Sequence, residues 1–258
     1  MATIQFSHAN GFPASTYSYM FDQMDGVEIS YVDKMGHGDF PVGNNLNNLA
    51  DELIWDITQK QSKPVVGVGH SVGGVVTILA ALKCPEIFDK LIFIDPALLS
   101  NRKRFYIWFM RKLGLGDQIR PIRKTLARKS EFASIEEPRQ ILRNRPLFEN
   151  FHPKCYDAYI ENGFIFKQDG VELAFSPLIE AEIYRNLPVQ LSSEKYKLKG
   201  TLIYGKNSNV LQRPEVNWRK QKFPNIDIIE FEGSHLFPFE HPKKTAEALK
   251  NIITRSES

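Results

Sequence analysis

Short apolar segments alternate with longer amphipathic ones along most of this chain. The clearest pattern lies in residues 64–76 (PVVGVGHSVGGVV), where a valine-rich run is bounded by a proline and by glycines. A valine-rich run without polar alternation is typical of a strand that is buried on both faces of a parallel sheet. The apolar residues that follow are numerous enough for a helix, so the sequence predicts a strand, a sharp turn and a helix here.

The same alternation predicts the other elements of an α/β fold. Apolar runs predict five further strands, and apolar positions at helical spacing predict helices packed on the sheet between them. The remaining predicted strands are residues 3–7, 27–33, 90–94, 200–204 and 226–231. The remaining predicted helices are residues 17–24, 44–60 and 244–253. We therefore expect a mostly or wholly parallel sheet of about six strands with helices on both faces.

Residues 97–198 interrupt this alternation and are too many for a loop. They contain helix-like pieces, aromatic clusters and several prolines, so we interpret them as an inserted helical cap on a core of residues 1–96 and 199–258. The run FYIWFM at 105–110 is expected to be buried all round or to face a ligand, with its flanking Arg and Lys in water. Contact with an anionic membrane surface is the alternative, but a lid over an apolar pocket explains the run more simply.

A pentapeptide G-H-S-V-G at residues 69–73 lies between the central strand and its helix. Small residues two positions before and two after the serine permit a sharp turn that lifts the Ser71 hydroxyl clear of the sheet. The turn also directs the first helical N–H groups at whatever binds there. The bare motif fits a serine that caps a helix equally well. Its placement after a buried strand favours a nucleophile, so Ser71 is the candidate.

Two later loops supply candidate partners for this serine. Asp95 follows the predicted strand 90–94, and His235 follows the predicted strand 226–231. A carboxylate can hold a histidine in the tautomer that accepts a serine proton. An aspartate before a proline is also a common turn cap, and a lone histidine is usually structural. The order Ser71, Asp95, His235 is the order of a catalytic triad on such a sheet, which favours the catalytic interpretation.

The first loop, HANGFP at residues 8–13, also follows a predicted strand. Its glycine lets the backbone approach a ligand, and ligands bind at the carboxyl ends of parallel strands. A plain turn is the alternative. We expect the backbone N–H groups of Phe12 and Val72 to form an oxyanion hole. Asp33 and His37, in the loop after the second strand, are assigned to hydrogen bonds that hold their own turn.

Composition and charge exclude several classes of function. A chain of 258 residues with 42% hydrophobic and 24% charged residues is an ordinary soluble globular protein. The net charge of +3 argues against a general nucleic-acid binder, although residues 101–129 contain ten Lys or Arg and a single acid. The chain lacks a signal-peptide pattern and an apolar run of bilayer length, so we expect a cytoplasmic protein without stable membrane insertion. The spacing of Cys84 and Cys155 indicates neither a disulfide scaffold nor a metal site.

Four segments of the chain resemble motifs of the α/β-hydrolase family. They are HANGFP at 8–13, GHSVGG at 69–74, FIDPAL around Asp95 and GSHLFPFEHP around His235. The chain looks most like small bacterial esterase-like members with a helical cap. The resemblance implies an α/β-hydrolase fold with the six strands in the order second, first, third, fourth, fifth, sixth. Epoxide hydrolases and haloalkane dehalogenases are similar, but they place an aspartate where this chain has a serine.

Three departures from the family pattern change these expectations. The family's opening hairpin has no room before the loop at residue 8, which implies an all-parallel sheet. The loop after the fifth strand usually carries the acid, but here it holds Asn209, which cannot stabilise an imidazolium by charge. The role of the acid therefore moves to Asp95, as in some relatives. Met35 replaces a common arginine, which affects structure more than catalysis.

The motifs and the resemblance together predict a serine hydrolase that acts through an acyl-enzyme. The substrate would be a carboxylic ester or thioester with a small apolar acyl or aryl group, and the basic flank of the cap could admit an anionic one such as a coenzyme A ester. No cofactor, metal or nucleic acid is required. One alternative is a lyase, carbon–carbon hydrolase or perhydrolase with the same triad. The other, which Asn209 motivates, is a non-catalytic binding or signalling module.

Overall fold

Strands and helices alternate through most of the computed structural model, which describes residues 2–188, 198–212, 216 and 223–255. The strands are β1 Ala2–Ser7, β2 Val27–Tyr31, β3 Val65–His70, β4 Phe88–Ile94, β5 Glu131–Phe132, β6 Phe164–Lys167, β7 Gly170–Leu173, β8 Gly200–Gly205 and β9 Ile226–Phe231. The α-helices are α1 Ser18–Phe21, α2 Asn47–Lys60, α3 Val72–Lys83, α4 Asn101–Lys112, α5 Arg120–Leu126, α6 Glu136–Arg143, α7 Pro153–Asn162, α8 Pro177–Asn186, α9 Phe237–Glu240 and α10 Pro242–Thr254.

Six parallel strands form the central sheet, in the order β2-β1-β3-β4-β8-β9. This order confirms the arrangement that the family resemblance implies. Every residue of β3 is buried, as expected for a valine-rich strand in the middle of a parallel sheet. Because all six strands run in one direction, their carboxyl ends meet at one edge, where the loops with Ser71, Asp95 and His235 begin.

Alternate residues of β4 contribute to two hydrophobic cores. Ile92 and Ile94 belong to a core that also contains apolar residues of α1 and α10, whereas Leu91 and Phe93 belong to a core with residues of α2 and α3. Successive side chains of a strand point to opposite faces, so the two cores lie on opposite faces of the sheet. The helices therefore cover both faces, as predicted.

The helix predicted at residues 17–24 is much shorter in the structure. A 3₁₀ turn at Ala14–Tyr17 leads into the single turn of α1, and the chain then turns towards β2. Gly26 adopts a φ of +77° in that turn, a conformation that a side chain would oppose. The close turn leaves no length for the last residues of the predicted helix.

The segment between β4 and β8 contains the helices α4 to α8 and a second sheet with the antiparallel order β5-β7-β6. The purely helical interpretation therefore missed three strands, which are too short to give a clear alternating pattern. Residues 189–197 of the predicted cap lie outside the described residues. The division into a core of residues 1–96 and 199–258 and a cap of residues 97–198 stays a prediction.

Helix α4 does not bury the run FYIWFM. Every residue of this helix is exposed or half-buried, including its four aromatic residues Phe105, Tyr106, Trp108 and Phe109. Of the two expectations for this run, burial all round is therefore wrong, because α4 packs on the protein through its other face. A run that faces a ligand stays a prediction. No helix in the described part of the chain is both long and apolar enough to cross a bilayer.

Candidate active site

Ser71 lies at the turn between β3 and α3 with a φ of +56° and a ψ of −118°. An L-residue adopts such a conformation only when the surrounding structure enforces it. A Cβ atom on Gly73 would lie 2.1 Å from the Ser7 carbonyl oxygen, and one on Gly69 would lie 2.6 Å from the Gly73 carbonyl oxygen. The turn therefore needs glycine on both sides of the serine, as the pentapeptide predicts.

The imidazole of His235 reaches the Ser71 hydroxyl from the loop between β9 and α9. His235 Nε2 and Ser71 Oγ are 2.9 Å apart, an ordinary hydrogen-bond distance. The His235 side chain is 16% exposed and Ser71 is 8% exposed, so the pair is shielded but lies within reach of the surface. A neutral imidazole with a free lone pair on Nε2 can take the serine proton in this arrangement.

Asp95 follows β4, is completely buried and has a φ of +39°. Its carboxylate accepts hydrogen bonds from the Gly205 N–H at 3.1 Å and from the Ser208 hydroxyl at 3.0 Å. Asp95 Oδ1 lies 3.5 Å from His235 Nδ1, which makes no hydrogen bond within the described residues. The loop after β8 thus holds the carboxylate beside the imidazole, at slightly more than hydrogen-bond distance.

Asn209 follows Ser208 in the same loop but is exposed. The buried position beside His235 is therefore occupied by the carboxylate of Asp95 and not by Asn209. Met35, at the third departure from the family pattern, is buried, and its N–H donates to the ring of His8 at 2.9 Å. This contact is made by the backbone of Met35 and not by its side chain, so the expected effect of the replaced arginine stays a prediction.

The backbone donors of the candidate oxyanion hole differ in their partners. Val72 is the first residue of α3, and the first N–H groups of a helix have no acceptor within the helix. The Phe12 N–H donates to the Ala9 carbonyl at 3.1 Å in a turn where Gly11 has a φ of +80°. The Phe12 N–H is thus already engaged, and its role towards an oxyanion stays a prediction.

Asp33 and His37 make structural hydrogen bonds, but the expectation that both hold their own turn is only partly confirmed, because the Asp33 side chain bonds to a residue of the 3₁₀ turn before α1. Asp33 Oδ1 accepts from the Ser15 N–H at 2.8 Å. His37 Nε2 accepts from the Ser176 N–H at 3.0 Å, and its Nδ1 lies 3.3 Å from the Met35 carbonyl oxygen. The contact with Ser176 joins the loop after β2 to the segment between β4 and β8. The sequence did not predict this contact.

Sequence reasoning missed a buried chain of hydrogen bonds behind the serine. The Tyr17 hydroxyl accepts from the Ala9 N–H at 3.2 Å and lies 2.7 Å from His70 Nδ1, and His70 Nε2 lies 3.0 Å from the His235 carbonyl oxygen. A carbonyl only accepts, so His70 Nε2 donates and Nδ1 accepts from Tyr17. Burial lowers the pKa of His70 well below its ordinary value, which keeps this ring neutral. These hydrogen bonds connect the first loop to the loop that contains His235. The only sign of them in the sequence is His70, a polar residue at the end of an apolar strand.

Glu180, at the buried face of α8, supports the first loop from the inserted segment. Its carboxylate accepts two hydrogen bonds from the Arg128 guanidinium, at 2.8 and 2.9 Å, and one from the Thr125 hydroxyl at 3.0 Å. Its carbonyl accepts from the Asn10 side chain at 3.0 Å, and a Cβ on Gly11 would lie 2.9 Å from the carboxylate. The inserted segment therefore packs directly on the first loop.

Buried aromatic rings surround Phe12. The ring centroids of Phe151, Tyr159 and Phe239 lie 6.4, 5.3 and 5.2 Å from that of Phe12, and all four side chains are buried. The first loop thus has an apolar aromatic side. Within the described ranges, no group of three or more His, Cys, Asp or Glu residues could hold a metal ion.

The sequence is similar to a known protein family and, at low identity, to several curated proteins. The model of the alpha/beta hydrolase family matches residues 6–248. A type I acyl-CoA thioesterase of Penicillium roqueforti is 27% identical over 174 residues, which cover 58% of this chain and 37% of the thioesterase. An abhydrolase domain-containing protein of Schizosaccharomyces pombe is 24% identical over 230 residues, which cover 88% of this chain and 81% of that protein. The chain thus spans well under half the length of the thioesterase.

A solved structure shows the same fold at low identity. The crystal structure of an E-2-(acetamidomethylene)succinate hydrolase aligns with a TM-score of 0.78 and 18% identity, covering 98% of this chain and 91% of that one. The expected small bacterial, esterase-like subgroup is not confirmed, since both curated relatives above are fungal. The family match over most of the sequence, together with the six-stranded parallel sheet, shows that this chain belongs to the alpha/beta hydrolase family.

Proposed function

We propose that this protein is a serine hydrolase that cleaves a carboxylic ester or thioester through an acyl-enzyme. The observation that carries the proposal is the 2.9 Å contact between Ser71 Oγ and His235 Nε2. The serine stands on a turn that only a glycine-flanked residue can form, at the carboxyl edge of the sheet. A serine hydroxyl is unreactive near neutral pH without such a base, so the contact supplies what the nucleophile needs.

In the proposed mechanism, Ser71 Oγ attacks the substrate carbonyl carbon while its proton passes to His235 Nε2. The resulting imidazolium is stabilised by the buried carboxylate of Asp95, whose 3.5 Å contact would shorten when the ring becomes charged. His235 then gives the proton to the leaving alcohol or thiol, which departs and leaves an acyl ester on Ser71. Water attacks this ester with His235 as base, which releases the acid and restores the serine.

The oxyanion that forms during both attacks needs hydrogen-bond donors. We assign this role first to the Val72 N–H, which the start of α3 leaves without a helical acceptor. The Phe12 N–H is the second donor, and it would share its hydrogen between the Ala9 carbonyl and the oxyanion. A single donor of this kind lowers the barrier by about 3 kcal/mol.

The aromatic side of the first loop favours an apolar acyl or aryl group. Phe12 and its buried aromatic neighbours offer no charged partner to a substrate. Hydrolysis of a thioester is supported by the similarity to a fungal acyl-CoA thioesterase, which covers part of both chains. A cytoplasmic location and a cap formed by residues 97–198 remain part of the proposal.

Labelling with a fluorophosphonate tests the proposal, because this reagent reacts with activated serines. Intact mass of the purified protein should show one adduct, and Ser71→Ala should abolish it. Ser100→Ala is the matched control, since this serine only caps α4, and its labelling should equal that of the unmodified protein. A folded protein that forms no adduct would contradict the proposal and favour the non-catalytic binding module.

Esters and thioesters of increasing acyl length would follow the labelling. Turnover that depends on Ser71 supports the proposed reaction. An adduct on Ser71 without turnover of any ester or thioester would instead favour a lyase, carbon–carbon hydrolase or perhydrolase that uses the same residues.

A further inference from the structure

Helix α4 presents its large apolar side chains to water. Phe105 is 65% exposed, and the other aromatic residues of the helix are about half exposed. Two exposed leucines follow the helix. We call this set the α4 aromatic surface; it comprises Phe105, Tyr106, Trp108, Phe109, Leu113 and Leu115.

The opposite face of α4 holds the helix against the protein. The Lys103 ammonium donates to the Val210 carbonyl at 3.1 Å, and the Arg111 guanidinium donates to the Leu187 carbonyl at 3.3 Å. Ile107 and Met110 pack on a small buried cluster with residues of α5 and α8. Two cations thus point inwards while aromatic rings point outwards, the reverse of a helix that faces only water.

The exposed area is similar to that of the largest apolar patch on a typical monomeric protein. A Phe, Tyr or Trp side chain carries roughly 150–250 Å² of surface, so four half-exposed rings expose on the order of 400 Å². A largest patch of this size is often a functional surface. The rings of Phe105 and Trp108 lie 5.9 Å apart and those of Phe105 and Phe109 lie 6.3 Å apart, so these three rings are contiguous.

The segment that contains this surface is strongly basic. Residues 101–129 contain ten Lys or Arg and one acid, Asp117, whose carboxylate is bound by Arg185 at 2.7 Å. Arg102 and Lys112 are exposed on α4 itself, and further exposed cations lie on α5, which packs beside it. A second copy of this chain would bring these cations against one another, which disfavours self-association through the surface.

We propose that the α4 aromatic surface docks on an anionic phospholipid membrane. Tryptophan and tyrosine rings favour the interface between headgroups and acyl chains, and cations beside them are attracted by anionic headgroups. The helix would lie in the plane of the membrane with Phe105 and Trp108 inserted and Arg102 and Lys112 at the level of the phosphates. This mode of binding needs no helix that crosses the bilayer.

Vesicle co-sedimentation tests the proposal with two double variants. Phe105→Ser/Trp108→Ser removes two rings of the surface. Trp55→Ser/Phe166→Ser is the matched control, because its rings are 53% and 66% exposed but lie on α2 and β6. The two substitutions remove on the order of 200 Å² of exposed ring surface from α4. If the unmodified protein buries one third of that surface in the membrane, the variant's partition coefficient onto vesicles should be about ten-fold lower.

The unmodified protein should sediment with vesicles of phosphatidylcholine and phosphatidylserine, and less with phosphatidylcholine alone or at high salt. The α4 variant should bind about ten-fold more weakly, and the control variant should bind as the unmodified protein does, with equal thermal stability for all three proteins. Equal binding of both variants, or no binding by the unmodified protein, would overturn the proposal. So would sedimentation velocity that shows a dimer lost only in the α4 variant, because the surface would then join two copies.

Discussion

Replacing Asp95 by asparagine separates the charge of the candidate acid from its shape. Three donors surround this carboxylate: the Gly205 N–H, the Ser208 hydroxyl and the His235 ring. The Ser208 oxygen already accepts from the N–H groups two and three residues further on, so its own proton points to Asp95. Asparagine has one oxygen for these three donors, and its NH₂ group must therefore face one of them.

Each orientation of the asparagine has a predictable consequence. If the NH₂ group faces His235, Nδ1 must accept, and the ring proton moves to Nε2, where it prevents uptake of the Ser71 proton. If it faces Gly205, a buried N–H loses its partner, which destabilises the fold by about 1–3 kcal/mol. In both orientations the imidazolium loses its countercharge. We therefore expect turnover to fall about 10⁴-fold while the protein stays folded.

The assay compares kcat for an activated ester with the melting temperature of the same samples. Asn209→Ala is the control, because this exposed residue should leave both quantities unchanged. Turnover of the folded Asp95→Asn protein within about tenfold of the unmodified protein would refute the assignment of the acid. A large loss in Asn209→Ala would refute it as well, because the loop residue would then carry the role.

Two further predictions concern buried groups near the site. Tyr17→Phe leaves the Ala9 N–H and a ring nitrogen of His70 without partners, so urea unfolding should show a loss of about 1–3 kcal/mol; unchanged stability would contradict the chain of hydrogen bonds. Burial raises the pKa of Glu52 from 4.5 to about 7, so this group costs stability as the pH rises through that interval. The stability of Glu52→Gln relative to the unmodified protein should therefore increase from pH 4.5 to 7, by at most about 1.4 kcal/mol per pH unit, and a flat difference would contradict this prediction.

The central sheet could be predicted because its signals are local. The valine-rich β3 has no polar alternation, and every residue of it is buried. The glycines around Ser71 predict the sharp turn, since side chains at Gly69 and Gly73 would collide with backbone oxygens. The expected strand order came from the family resemblance, and the observed order agrees with it. The local sequence pattern and the family resemblance together therefore predict the central sheet that positions the site residues.

The features that escaped prediction depend on contacts between distant parts of the chain. Glu180 meets the first loop across 170 residues, and the sequence gives no sign that its partner is Asn10. His70 and Tyr17 are polar groups whose acceptors and donors become visible only in the folded protein.

The orientation of α4 escaped prediction for a different reason. Its composition predicts either burial or a face turned towards a ligand, but Lys103 and Arg111 donate to backbone carbonyls that hold the helix with its aromatic face outwards. A single sequence does not reveal those acceptors, which lie far along the chain. The short strands β5 to β7 escaped because two to four residues are too few for a periodic pattern.

Direct detection of an acyl-enzyme would test whether Ser71 is the nucleophile. The protein would be mixed with an activated ester or thioester, quenched in acid within the first turnovers, digested and analysed by mass spectrometry. The acyl mass is expected on the peptide that contains Ser71, with neither adduct nor turnover in Ser71→Ala. Turnover that persists in Ser71→Ala, or an acyl group found only on another residue, would contradict this assignment.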